Sequence, residues 1–310
     1  MSVRTLSRIL LLVQFASAVL IAWALLRWGG AAPWQAALAG IASVVLVRLI
    51  INLNNFALAA HFASTPPAEF RLGPVARLRL VLEEFRASML TTSWLMPRGA
   101  ARTRIYPDSH HVPVLLLHGY GCNSGYWAHL LPLLDAARIS HASVDLEPLG
   151  GSIDDYASLV DRAVEALRAA SGAGKVAIVA HSMGGLVARA WMRAYGSQRV
   201  ARLVTLGTPH HGTALARFGL GVNAAQMRHA GAGDAPESAW LRALAQDESE
   251  ATRALVTSIY THHDNIVSPR SSSVLPGARN IGVGGVGHVA LGSNPRVLAE
   301  VMRELAALHA

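Results

Sequence analysis

The sequence predicts an α/β protein, a mostly parallel sheet with helices on both faces, preceded by two transmembrane helices. Three observations carry that expectation. Beyond Val112, short apolar strand-like runs alternate with longer helical ones, the pattern of parallel strands joined by crossover helices. Near the amino terminus, two uncharged stretches each approach the roughly 20 residues that a helix needs to cross a bilayer. One strand-like run ends in Ala180-His181-Ser182-Met183-Gly184, a tight serine-bearing turn that opens onto a helical run.

Ile9 to Leu26 carries no charge and lies between Arg8 and Arg27; Pro33 to Val47 is again uncharged, and with Arg48 snorkelling the apolar character extends to Ile51. Trp28 to Ala32 is a short turn, so residues 1–60 are expected to form an antiparallel transmembrane hairpin. A secretory signal with Arg4 and Arg8 as its basic start competes with this reading. The length of the first stretch and the immediate arrival of a second favour the hairpin.

Residues 61–111 are expected to hold an amphipathic helix and a linker. Leu72 to Leu90 places Leu78, Val81, Leu82, Phe85 and Met89 at helical spacing, with Arg77, Arg79, Glu83, Glu84 and Arg86 at other positions. Such a helix either lies on the membrane surface or packs on the following domain. Met96 to His111 then approaches the sheet.

Within 112–310, strands are expected at Val112–Leu117, Ser140–Val144, Val176–Ala180, Arg202–Leu206, Ala254–Tyr260 and Arg279–Val283. Helices are expected at Gly125–Ala137, Ile153–Ala170, Met183–Ala194 and Pro295–Leu308. Continuous apolar runs such as Val114 to Leu117 suit strands covered on both faces. Between about 212 and 250 strand character disappears, and Phe218, Leu220, Met227 and Trp240 occur among glycines, as in a lid or substrate wall. This length can bury one substantial core, so a single domain suffices.

Of the formal net charge of +8, four units come from Arg4, Arg8, Arg27 and Arg48, since the first sixty residues hold no acid. Lys175 is the sole lysine, and no basic patch with interleaved aromatics occurs, which argues against a nucleic-acid partner. Cys122 stands alone, so no internal disulfide forms.

The turn around Ser182 reads as a nucleophile elbow, in which only very small neighbours are tolerated and the serine Oγ stands above the sheet. Ala180 takes the place of the usual first glycine, and Gly184 and Gly185 supply the rest. Upstream, Val114 to Leu117 runs into His118-Gly119-Tyr120-Gly121; downstream lies Thr205-Leu206-Gly207-Thr208-Pro209-His210-His211-Gly212-Thr213. In this order the three motifs resemble the bacterial lipase and esterase branch of the α/β-hydrolase superfamily, over roughly residues 112–310. The resemblance implies the α/β-hydrolase fold, with the backbone N–H groups of Tyr120 and Met183 as an oxyanion hole and His118 as a brace of its loop.

A serine hydroxyl needs an imidazole to take its proton and a carboxylate to orient that imidazole. In this fold the chain order is serine, acid, histidine. Asp264 follows a strand-like run and lies in a loop resembling the family's acid loop, whereas Asp247, Glu248 and Glu250 occupy a polar, solvated segment. His288 sits in the glycine-rich turn after the last strand. His262 and His263 flank the acid, and the His210–His211 pair lacks companions at metal-ligand spacing, so no metal is expected.

The expected activity is hydrolysis of a lipid or other acyl ester by Ser182, His288 and Asp264, with no cofactor and with a bilayer as partner. Tyr120, Phe218, Leu220, Met227 and Trp240 are the expected substrate wall. An acyltransferase using the same three residues and a non-catalytic membrane adaptor are the alternatives. Arginine at both hairpin ends, against Arg27 alone in its turn, places the hydrolase domain on the cytoplasmic side of a bacterial inner membrane.

Overall fold

The computed structural model describes residues 1–229 and 237–308. Among them, seven strands form one sheet in the order β1-β3-β2-β4-β5-β6-β7. They are β1 (Thr103–Arg104), β2 (Val114–Leu117), β3 (His141–Val144), β4 (Val176–His181), β5 (Val200–Leu206), β6 (Val256–Thr261) and β7 (Arg279–Val283). All six expected strands are present, and neighbours from β3 to β7 pair in parallel. The linker adds β1 as a short antiparallel edge on β3.

Alternate residues of the central strands feed two cores. Leu115, Leu117, Ile178 and Ala180 pack beneath α5 (Ala157–Ser171) and α6 (Met183–Tyr195). Val114, Leu116, Ala177 and Val179 face α4 (Leu131–Ala136) and α10 (Pro295–Ala306). This period of two in fully buried strands is what a sheet sandwiched between helix layers requires. The expected helix Gly125–Ala137 is instead a 3₁₀ segment, Ser124–His129, followed by α4. Pro132, which lacks an N–H, starts the second piece and cannot sit inside a continuous helix. Among the described residues, the short helices α7 (Val222–Gln226) and α8 (Ala239–Gln246) lie in the region expected to form a lid, and α9 (Glu250–Ala254) follows it. Glu248, expected in solvent, is buried and receives two hydrogen bonds of 2.9 Å from the fully buried Arg189. A cation held in the interior demands such a partner.

The first two helices are α1 (Val3–Trp28) and α2 (Pro33–His61), both long and apolar enough to cross a membrane. They pack antiparallel where small residues meet: a Cβ on Gly40 would lie 2.4 Å from the Ala18 carbonyl oxygen. Their outer faces leave large side chains uncovered, Phe15 at 70% and Trp34 at 64% exposed. Both ends abut the domain. The Val3 N–H donates to Glu147 at 3.1 Å, and Ser268 Oγ donates to the Ala59 carbonyl at 2.8 Å.

The third helix, α3 (Pro74–Leu90), runs on through a wide turn, Thr91–Leu95, and a last turn, Met96–Arg98. It packs on the domain, one of the two alternatives that its sequence allowed. Leu80 and Glu84 are buried against the domain, while Val75, Leu78 and Leu82 remain outside, at 83%, 60% and 53% exposed.

Candidate active site

The sheet order reverses at β2. The chain leaves β2 for β3 on one side and returns across it to β4 on the other, so the crevice lies at the carboxyl ends of β2 and β4. Those ends carry His118-Gly119 and His181-Ser182. Ser182 holds φ 53° and ψ −124°, a conformation that side chains rarely adopt. It is kept there by its N–H, which donates to the Leu206 carbonyl, and by its own carbonyl, which accepts from Thr208 Oγ1 at 2.9 Å. The small neighbours are obligatory. A Cβ on Gly184 would lie 2.4 Å from the Leu117 carbonyl oxygen, and one on Gly185 would lie 2.1 Å from Thr208 Oγ1.

The loop after β6 supplies Asp264, whose Oδ1 accepts the N–H groups of Ile266 and Val267 at 2.8 and 2.7 Å. Its Oδ2 is 2.8 Å from His288 Nδ1. Asn265 fixes the same histidine from behind, accepting the His288 N–H at 3.0 Å. His288 lies beside the elbow: its ring centroid is 4.7 Å from that of His181, the residue before Ser182, and its carbonyl is 3.3 Å from His181 Nε2. Burial alone would pull the His288 imidazole down. The Asp264 carboxylate, by charge and hydrogen bond, and the charge of Glu84 outweigh that, and its pKa lies above the ordinary histidine value.

His181 itself is buried and stacked on Tyr126, centroid to centroid 4.0 Å; burial and the adjacent His288 hold its pKa well down, so it is neutral. His118 Nε2 accepts the Leu146 N–H at 2.9 Å, which leaves the proton on Nδ1 facing the Gly119 carbonyl. It braces its loop. Neither the Tyr120 nor the Met183 N–H donates to another group among the described residues.

The expected substrate wall divides. Tyr120 OH bonds to the backbone of Leu220, and Phe218 and Leu220 are exposed at 62% and 81%. Met227 is instead buried in the core, and Trp240 packs against that core with its Nε1 on Asp154 at 2.7 Å. Residues 230–236 of the lid-like region lie outside the described ones.

Glu84 is the residue that the sequence hides. Placed by periodicity on a polar face, it is 1% exposed, and its two oxygens accept the N–H groups of Val289 and Ala290, both at 2.9 Å. It thus caps the 3₁₀ turn Val289–Gly292 directly after His288. Gly287 makes room for it, since a Cβ there would lie 2.4 Å from Glu84 Oε2. Burial pushes the Glu84 carboxyl up, against the two backbone donors. Nothing in the sequence distinguishes it from Glu83, which faces outward to Arg79.

A strained serine at the switch point of a parallel sheet, with a histidine–carboxylate pair on the loops beside it, defines the α/β-hydrolase arrangement. Residues 112–236, less than half of the chain, match the family described as alpha/beta hydrolase fold. Over 120 residues the sequence is 46% identical to a triacylglycerol lipase of Pseudarthrobacter phenanthrenivorans and to one of Burkholderia plantarii. Each match covers 34% of this chain, and 35% and 32% of those proteins, so the chain spans about a third of the length of the curated relatives it matches. The fold is similar to the mature form of the Bacillus licheniformis lipase BlEst2, with TM-score 0.57 and 17% identity over 66% of this chain and 97% of that one. Aspergillus fumigatus lipase B has TM-score 0.55 and 19% identity, covering 67% of this chain and 56% of its own.

Proposed function

We propose that this chain is a membrane-anchored serine hydrolase that cleaves carboxylic esters of lipids. The observation that carries the reading is the Asp264–His288 hydrogen bond of 2.8 Å, seated beside the strained turn that presents Ser182.

In this mechanism His288 Nε2 takes the Ser182 hydroxyl proton as Oγ bonds to the ester carbonyl carbon. The carbonyl π pair moves to oxygen, and the N–H groups of Tyr120 and Met183 receive that charge, each contributing about 3 kcal/mol. Collapse breaks the bond to the alcohol oxygen, which leaves with the proton from His288. Water then adds to the acyl-enzyme by the same route, giving the carboxylic acid and free Ser182. Tyr120, Phe218 and Leu220 form the wall against the acyl chain.

Anchorage rests on the uncovered apolar faces of α1 and α2, which only a bilayer would bury favourably. Trp28 and Trp34 flank the turn between α1 and α2, exposed as interfacial aromatics are, and Trp23 packs edge-on to Trp28. The arginine balance puts the domain on the cytoplasmic side.

The test uses a fluorophosphonate probe and p-nitrophenyl esters of increasing chain length, on wild type and Ser182→Ala. The expected result is covalent modification mapped to Ser182 and hydrolysis that disappears with it. Hydrolysis surviving in Ser182→Ala would refute the reading.

A further inference from the structure

A second feature of the hairpin is not explained by anchorage. Between α1, α2 and the second half of the α3 rod lies a cavity of about 300 Å³. Its polar lining includes Gln14, Arg48, Asn52, Asn55, Ser88 and Thr92, and it reaches Gly121, the residue after Tyr120 in the proposed oxyanion loop. Leu10, Ile51 and Phe85 are among its apolar residues.

Arg48, Asn52 and Asn55 are spaced to share one face of α2, a mostly apolar helix. The Arg48 guanidinium is held in place without being neutralised. Nε donates to Gln14 Oε1 at 2.7 Å; Nη1 donates to Ser93 Oγ at 2.7 Å and Thr92 Oγ1 at 3.1 Å. Every partner is uncharged, and Arg48 forms no ion pair among the described residues. The first sixty residues contain no acid, and the two acids of α3 are committed elsewhere, Glu83 to Arg79 and Glu84 to the His288 loop. Among the described residues, the Nη2 hydrogens go to no protein group. Asn52 is 6% exposed, and among the same residues its buried Oδ1 has no partner.

A fixed, uncompensated guanidinium beside an unsatisfied buried amide, at the level of spanning helices, is expensive unless a ligand completes it. The hydrogens that Nη2 keeps can be given to a phosphate oxygen as charge-assisted bonds. The Asn52 amide can accept from a glycerol hydroxyl or donate to a phosphate oxygen. The apolar part of the lining suits the start of acyl chains.

We infer that this cavity binds the phosphate head group of an anionic glycerophospholipid arriving from the bilayer, beside the loop through which its acyl ester would meet Ser182. The catalytic half of this inference rests on the proposed function; the binding half does not.

The experiment uses the full chain as Ser182→Ala, so that nothing is turned over, in phosphatidylcholine nanodiscs doped with either phosphatidylglycerol or diacylglycerol. Lipid retained after detergent exchange is counted by native mass spectrometry. Selective retention of phosphatidylglycerol is expected, falling about tenfold with Arg48→Gln, as loss of a charge-assisted contact implies. It should be partly kept by Arg48→Lys. Should Arg48→Gln fail to fold, Asn52→Leu, which fills the cavity and leaves the guanidinium network, is expected to lower retention as well. On the Ser182 background, the ratio of phosphatidylglycerol to diacylglycerol hydrolysis should fall with retention.

Equal retention of both lipids, or retention unaffected by Arg48→Gln and Asn52→Leu, would overturn the site. Binding of inorganic phosphate without lipid would overturn the lipid assignment. Retention without any ester hydrolysis by wild type would refute the hydrolase and leave the site; hydrolysis without selective retention would do the reverse.

Discussion

Ser182 has a backbone that ordinary residues avoid, and the interactions holding it there are the best local sign of a nucleophile. Strain of this kind costs about 1–3 kcal/mol and persists where surrounding contacts enforce it. The orienting acid gives a direct residue-level prediction. Asp264→Asn should keep the fold and lose about 10³–10⁴ in rate, because the amide favours the wrong imidazole tautomer. Asp247→Asn, on an exposed side chain 3.9 Å from Arg193, should change little. Reversed outcomes in kcat measurements would assign the acid elsewhere.

The pH profile provides a second. In the proposed mechanism His288 must be neutral to accept the serine proton, so kcat/KM is expected to rise as it deprotonates, with a midpoint above the ordinary histidine value. Asp264 and Glu84 both stabilise its protonated form. Glu84→Gln removes one of those charges and should move the ascending limb to lower pH, an effect that loss of packing alone would not produce. An unmoved limb would mean that the Glu84 carboxyl is already neutral there and acts only as a cap.

At the scale of elements, the sheet was legible because its strands are short, apolar and separated by helical periodicity. Ser182, Asp264 and His288 could be singled out because each lies where a strand ends in a loop of characteristic composition. Glu84 could not, since its burial depends on how a helix outside the motif-bearing region docks on the His288 loop. Met227 lies in the core and Trp240 packs against it, which periodicity could not foresee, because apolar side chains in an irregular segment fit a core as well as a pocket. The elbow also offers an element-level test. In Gly184→Ala the new methyl meets two backbone carbonyls, of Leu117 and His118, which cannot rotate away. Overpacking of about 1–3 kcal/mol should appear as a lower melting temperature. Labelling of Ser182 by the fluorophosphonate should slow in parallel; unchanged values in both would mean that the elbow tolerates a larger residue than its geometry allows.

For the whole molecule, the proposed function makes the hairpin both anchor and neighbour of the site. Deleting residues 1–60 should release the protein from membranes, as fractionation would show. It should also lower the melting temperature, since Ser268 Oγ and Glu147 lose their partners on Ala59 and Val3. Turnover of a bilayer-embedded ester should then fall more than turnover of a soluble one. Membrane retention of the shortened chain would move the anchor to α3, whose Val75, Leu78 and Leu82 are uncovered. A reporter active only in the cytoplasm, fused after Ala310, tests the orientation; silence there with activity of a periplasmic reporter would invert it.

In the proposed mechanism Ser182 and His288 work as one unit, and a double-mutant cycle on kcat/KM for a soluble ester tests this. Ser182→Ala and His288→Ala should each remove nearly all activity, from a contribution of about 10⁶, and the double mutant should be little worse than either. A single mutant keeping more than about a tenth of wild-type activity, or losses that multiply in the double mutant, would contradict it.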